Sequence, residues 1–206
     1  MPTARESLLD AAFAALGDRP WTEVRMVEVA AAAGVSRQTL YNEFTSKEGL
    51  ARALARRETD DYLAGVDRAL AAAERVGADA GECFAGAAGW TLRTARRSPV
   101  VKAALTGEHT DRVPLPRDPL VAALPGRAAG PADLVEALRA RTVAALVRGQ
   151  PRLRHKDIAW ACEAAIRLTL SYVIAPAATD EAACLRVAQL VRSLLSWPAP
   201  EGGAGT

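Results

Sequence analysis

An all-α chain of about nine helices is what the sequence predicts, on three observations. Half of its 206 residues are hydrophobic but only 5% are aromatic, so the apolar content is carried by Ala, Leu and Val, which with Arg favour helix over sheet. No sustained run of alternating β-branched residues occurs. Apolar residues recur instead three and four apart, in segments bracketed by capping residues, Gly and Pro.

Thr3 and Glu6 have capping-box spacing and open a first helix whose apolar face is Leu8, Leu9, Ala12, Phe13 and Leu16. Gly17 and Pro20 end it, and Trp21 is expected to pack back onto the N-terminal helices. Residues 26–44 then hold two short helical patterns joined by a turn. Met26, Val29, Ala30 and Ala33 share one face; Gly34 suits a left-handed helix end, with Val35 as its hydrophobic contact, and Ser36 is a natural N-cap for the next helix. There Leu40 and Phe44 face inward, while Gln38, Thr39, Tyr41 and Asn42 fan over the outer surface. This is a helix-turn-helix pattern. A helix fits the major groove, where Gln and Asn bond an adenine edge and a Thr methyl meets a thymine methyl; Tyr donates to phosphate.

Thr45 and Glu48 again have capping-box spacing, before a long helix over 47–73 with Leu50, Leu54, Tyr62, Val66 and Leu70 on its apolar face. Arg52, Arg56 and Arg57 read as a solvated face. A break at 77–81 precedes a helix over 82–97, and Pro99 starts a shorter one to Leu105. Residues 106–131 contain five prolines and three glycines, so they read as loop with a short helix over 118–124, either a lid over an effector cavity or a mobile connector. Pro131 and Asp133 open a helix to Arg148. The last two helices, over 157–174 and 180–197, are apolar around much of their circumference and need more than one partner. A four-helix interface with a second copy satisfies that need, with Leu168, Tyr172, Val187, Leu190, Val191 and Leu194 as its residues. The tail 198–206 is Gly/Pro/Ala-rich and expected to be disordered.

The net charge of +2 does not by itself point to nucleic acid. Residues 1–60 carry eight basic and nine acidic side chains, so a DNA reading rests on the local placement of Arg25, Arg37 and Lys47. Cys83, Cys162 and Cys184 have no CxxC spacing and read as small buried hydrophobes in a reducing compartment. Early acids argue against a signal peptide, and no run of about eighteen apolar residues exists, so a cytoplasmic protein without a membrane span is expected. The only histidines are His109 and His155, and HExxH, GxSxG and Gly-rich phosphate-loop motifs are absent, so no enzyme, cofactor or metal site is expected. Glu163 and Arg167, four apart, read as an ion pair.

The stretch AAAAGVSRQTLYNEFTSKEGL, residues 30–50, resembles the TetR/AcrR family of bacterial transcriptional regulators; the specific likeness covers about residues 5 to 55. The resemblance implies an all-helical dimer with a DNA-binding domain at 1–48 and an effector-binding and dimerisation domain at 49–197. It places Arg37, Gln38, Thr39, Tyr41 and Asn42 toward DNA, beside Ser36, with Lys47 on a phosphate. Val24 and Arg25 stand where the family usually has a Thr or Ser cap, and Arg25 offers a phosphate contact of its own. The function implied is a ligand-responsive regulator, a repressor released from a palindromic DNA operator by a small apolar or amphipathic effector. Phe84, Trp90, Leu138 and Trp160, with Arg93 and Glu163 as polar handles, are the candidate pocket; each serves equally well as ordinary core. The alternative is a helical interaction module that keeps the helix-turn-helix shape without reading DNA.

Overall fold

The computed structural model describes residues 2–108, 113 and 131–196. Nine α-helices and no strand occur among the described residues, as the sequence predicts. They are α1 (Ala4–Asp18), α2 (Met26–Ala32), α3 (Arg37–Phe44), α4 (Lys47–Arg75), α5 (Ala80–Arg97), α6 (Pro99–Thr106), α7 (Pro131–Gly149), α8 (His155–Ile174) and α9 (Asp180–Ser196), with a 3-10 turn at Trp21–Glu23. The expected short helix at 118–124, most of the proposed lid or connector, His109 and the tail 198–206 lie outside the described residues. The chain divides into two compact units, one from Met1–Asp61 and Ser98–Leu134, the other from Tyr62–Arg97 and Val135–Thr206.

In the first unit the capping box at Thr3 forms as read. The Glu6 amide donates to Thr3 Oγ1 at 3.2 Å, and the Thr3 amide to Glu6 Oε2 at 2.7 Å. α1 buries Leu8, Leu9, Ala12 and Leu16 against Trp21, Val29, Leu40, Phe44, Leu50 and Leu54 in one core. α2 starts at Arg25 without a side-chain cap, the consequence of the missing Thr or Ser. Its end is a Schellman turn: Gly34 has φ +68°, and the Gly34 and Val35 amides donate to the Ala31 and Ala30 carbonyls. α6 belongs to this unit too, since Val100 joins the core and Ser98, the α6 cap, donates its hydroxyl to Glu58 Oε2 at 2.9 Å.

Two local readings change at the start of α4. Ser46 rather than Thr45 caps the helix, accepting from the Gly49 amide at 3.1 Å. Thr45 instead makes the turn, at φ +61°, and the Ser46 amide donates to the Phe44 carbonyl at 2.6 Å. That carbonyl leaves no room for a side chain at position 49, where a Cβ would lie 2.0 Å from it. Arg57 is not part of a solvated face: its guanidinium donates to Asp10 Oδ1 at 2.6 Å and to the Leu9 carbonyl at 3.4 Å, fastening α4 to α1.

In the second unit α9 packs on α5 and α8. An Asp79/Glu82 box starts α5, with amide-to-carboxylate distances of 2.8 and 2.9 Å. Arg192 of α9 forks onto Asp79 at 2.8 and 3.2 Å and holds that carboxyl below the ordinary aspartate range. Arg96 of α5 pairs with Asp180 at the start of α9, so the two antiparallel helices are tied at both ends. Such exposed pairs contribute little energy and mainly fix register. The attraction comes from burial of Ala183, Val187, Ala188 and Val191. Val187 and Val191 are therefore corrections to the expected dimer interface: both are 0% exposed within the chain. The cause is that α5 offers Gly81 at the crossing, where a Cβ would meet the Ala188 carbonyl oxygen at 2.8 Å, so α9 settles deep enough to cover its own valines.

Gly49→Ala should lower the stability of the full chain by about 2 kcal/mol in denaturant unfolding, the scale of core overpacking. Gly17→Ala, whose Cβ would meet nothing within 4 Å, should be neutral or stabilising. Equal midpoints for the two variants would contradict the close approach at Phe44.

Candidate nucleic-acid interface and ligand cavity

An eight-residue helix such as α3 is not stable on its own in water. It is held because Leu40 and Phe44 are buried, because Ser36 Oγ accepts from the Thr39 amide at 3.0 Å, and because Arg5 covers its end. The Arg5 guanidinium sits 4.6 Å from the Phe44 ring centroid and donates to the Glu43 carbonyl at 3.3 Å. The opposite face is open: Arg37, Gln38, Tyr41 and Asn42 are exposed and Thr39 is half-buried. The Thr39 hydroxyl shares a 2.8 Å hydrogen bond with Ser36 Oγ, so these two side chains are tied into the cap. Gln38 Nε2 donates to Asn42 Oδ1 at 2.9 Å. This leaves Gln38 Oε1 as an acceptor and Asn42 Nδ2 as a donor, the complement of an adenine major-groove edge.

Pairing neutralises charges locally without changing the balance of the unit. Arg5 meets Glu43, Arg19 meets Glu28 and Arg57 meets Asp10, which engages three bases and three acids. Arg25 and Arg37 are exposed and enter no ion pair among the described residues. Lys47 departs from the expected open phosphate ligand. It is half-buried, its Nζ donates to the Thr22 carbonyl at 3.1 Å and lies 5.5 Å from the Trp21 ring centroid, and lost hydration lowers its pKa. It braces the 3-10 turn first and has two N–H groups left for other partners.

The six expected pocket residues separate. Phe84 and Leu138 line a small cavity with Ala87, Ala88, Thr91, Thr142, Ile166, Thr169 and Leu170, of about 10 Å³. Trp90, Arg93, Trp160 and Glu163 do not line it. Trp90 donates its Nε1 to the Tyr62 carbonyl at 2.9 Å and has Arg68 over its ring. Arg93 is exposed, Trp160 is 39% exposed, and Glu163 pairs with Arg167 at 2.9 Å on the surface, the ion pair read from spacing. Residues 160, 163 and 167 form the outer face of α8, while Cys162, Ile166, Thr169 and Val173 form its buried face. Three buried threonines, Thr91, Thr142 and Thr169, were missed; their signal was their position on the apolar stripes. A second cavity of about 110 Å³ is lined by Leu70, Glu74, Cys83, Leu146 and Gln150 among others. Cys83 and Cys162 are buried and Cys184 is half-buried, with burial pushing the Cys162 thiol up to about 12.

Of the remaining interface candidates, Leu168, Tyr172, Leu190 and Leu194 are half-buried, and Ile174 and Leu185, 67% and 56% exposed, extend the same helices' apolar surface. Among the described residues no group of three or more His, Cys, Asp or Glu side chains is placed to hold a metal ion, and no helix is long and apolar enough to cross a membrane.

Residues 8–54 match the family model for bacterial regulatory proteins of the tetR family, and residues 79–193 match that for the C-terminal domain of the bacterial tetracycline repressor. The chain is 30% identical over 198 residues to the HTH-type transcriptional regulator AlkX of Mycobacterium tuberculosis, covering 91% of this chain and 82% of that protein. The crystal structure of the TetR family repressor AlkX from a Dietzia strain, implicated in biodegradation of n-alkanes, superposes with a TM-score of 0.57 at 24% identity, covering 92% and 96% of the two chains. Thermus thermophilus FadR in complex with lauroyl-CoA superposes at 0.56 with 21% identity, covering 98% and 99%. These two structures share the fold.

Lys47→Ala should lower stability by about 1 kcal/mol, through the lost carbonyl bond and the lost contact with Trp21. Tyr41→Ala, at an exposed position, should leave stability within about 0.5 kcal/mol of the parent. Denaturant titration checks both, and a loss in Tyr41→Ala as large as that in Lys47→Ala would place Tyr41 in the structural role.

Proposed function

The chain belongs to the tetR family of bacterial regulatory proteins, and on that premise we propose that it is a dimeric repressor released from a palindromic operator by a small apolar or amphipathic effector. The observation that carries the DNA half is the outer face of α3, where Gln38 and Asn42 are fixed against each other above a buried Leu40 and Phe44. A pre-set donor–acceptor pair on a rigid short helix costs little ordering entropy on docking. Thr39 and Tyr41 flank that pair, Arg25 and Arg37 take phosphates, and Lys47 adds a phosphate contact from its braced position. Family membership favours this over a protein-interaction module.

Two copies are needed because one eight-residue helix reads only a half-site. Leu168, Tyr172, Leu190 and Leu194, joined by Ile174 and Leu185, are the surface for that contact. The small-molecule half rests on the cavity at Phe84 and Leu138, whose apolar walls suit an apolar or amphipathic effector. The n-alkane role of the Dietzia repressor and the lauroyl-CoA held by the Thermus protein are in keeping with such chemistry. By chain continuity α4 belongs to both the DNA-binding domain and the effector-binding domain, so an effector that binds one conformation better shifts the population and lowers DNA affinity.

Titration of the protein against duplex DNA from its own upstream region and an unrelated duplex, at two salt concentrations, tests the reading. Selective binding that weakens with salt is expected, and Arg25→Ala or Arg37→Ala should each reduce the salt slope by about one per subunit. Binding to neither duplex, or equal and salt-insensitive binding to both, returns the interaction module to the front. In sedimentation, Leu190→Glu or Leu194→Glu should yield monomers, and an intact dimer in both variants would move the interface elsewhere.

A further inference from the structure

We propose that the cavity among α5, α7 and α8 takes an uncharged molecule carrying a hydroxyl or N–H hydrogen-bond donor; this rests on the ligand-responsive reading above. The lining presents acceptors and no free donor. Thr91, Thr142 and Thr169 come from three different helices and are 1%, 1% and 5% exposed. Each hydroxyl donates to the carbonyl four residues earlier, Ala87, Leu138 and Ala165, at 2.8 Å. A carbonyl only accepts, so each threonine's single proton is committed. Tyr62 lies 3.0 Å from Thr91 Oγ1, and with the Thr91 proton already used the phenol is the donor there. Every hydroxyl proton at the site is thus spent inside the protein.

Thr142 and Thr169 line the cavity with Phe84, Leu138, Ile166 and Leu170, and each of their oxygens keeps acceptor capacity beyond the bond it donates. A ligand carbonyl or ether would find no donor. A carboxylate would lose its hydration without meeting a cation, because no charged side chain lines the cavity. A hydroxyl or N–H exchanges the hydrogen bond it donated to water for one to a buried acceptor, a replacement that a carbonyl, an ether or a carboxylate does not find there. A space of about 10 Å³ holds at most about one water molecule. Binding therefore selects a conformer in which the three helices stand further apart, which couples occupancy to shape.

Calorimetric titration of the full chain with phenol and 1-octanol, each against its methyl ether and its carboxylate (anisole and benzoate, octyl methyl ether and octanoate), tests this. At least one alcohol should bind about tenfold or more tighter than both of its analogues. Thr142→Val and Thr169→Val, which keep the shape and remove the acceptor, should bring that alcohol to the level of its ether, while Thr142→Ser and Thr169→Ser should keep it; the serine variants carry the test if the valine variants misfold. A carboxylate or ether that binds as tightly as its alcohol, alcohol binding indifferent to loss of either hydroxyl, or no alcohol binding at all overturns the proposal. Operator binding is measured on the same samples. DNA binding that persists in those cases refutes the donor class alone, whereas failure to bind DNA refutes the regulator reading beneath it.

Discussion

Burial of Leu40 and Phe44 is the constraint on which the placement of the outer face of α3 depends. A helix of eight residues has too few internal hydrogen bonds to fix itself, so its direction is borrowed from the core formed with α1, α2 and the first turns of α4. Everything around it serves that anchoring. Ser36 caps one end, Arg5 lies over the Phe44 ring at the other, and the missing side chain at Gly49 lets α4 start directly beneath the Phe44 carbonyl. The polar outer face is positioned by the burial of the apolar inner face.

Electrostatics in this unit is a matter of placement. Its first 60 residues have more acids than bases, and pairing of Arg5, Arg19 and Arg57 with Glu43, Glu28 and Asp10 leaves that balance unchanged, but Arg25 and Arg37 stay uncommitted on the surface. At physiological salt a charge is felt over about 8 Å, so the local pattern matters to a phosphate and the net count does not. Lys47 shows the opposite use of a cation, with its ammonium spent on a carbonyl and an aromatic face to hold the Trp21 turn.

The second unit is bland in composition and specific in arrangement. α9 is registered on α5 by Arg–Asp pairs at both ends and held by small side chains that let the backbones approach. That closeness takes Val187 and Val191 out of reach of any partner and leaves the rims of α8 and α9 as the available surface. Around Phe84 and Leu138 the packing of α5, α7 and α8 leaves a space of only about 10 Å³.

The helical class, the order of the helices, the caps at Thr3 and Ser36 and the Gly34 turn were all determined by the sequence alone. So was the candidate reading face of α3, because each depends on residues within about four positions of one another, where local stereochemistry and the 3.6-residue period decide. What lies further apart was decided by the tertiary structure. Lys47 finds its carbonyl 25 residues away, Arg57 its carboxylate 47 away and Arg192 its partner 113 away, and none of these choices is visible in spacing. The all-round apolar character of α9 was legible, but which side turned inward was not, because both sides are hydrophobic enough and the choice belongs to Gly81 on another helix. The convergence of Thr91, Thr142 and Thr169 is of the same kind: each reads alone as a tolerated polar residue on an apolar stripe, and only packing three helices together brings them around one cavity.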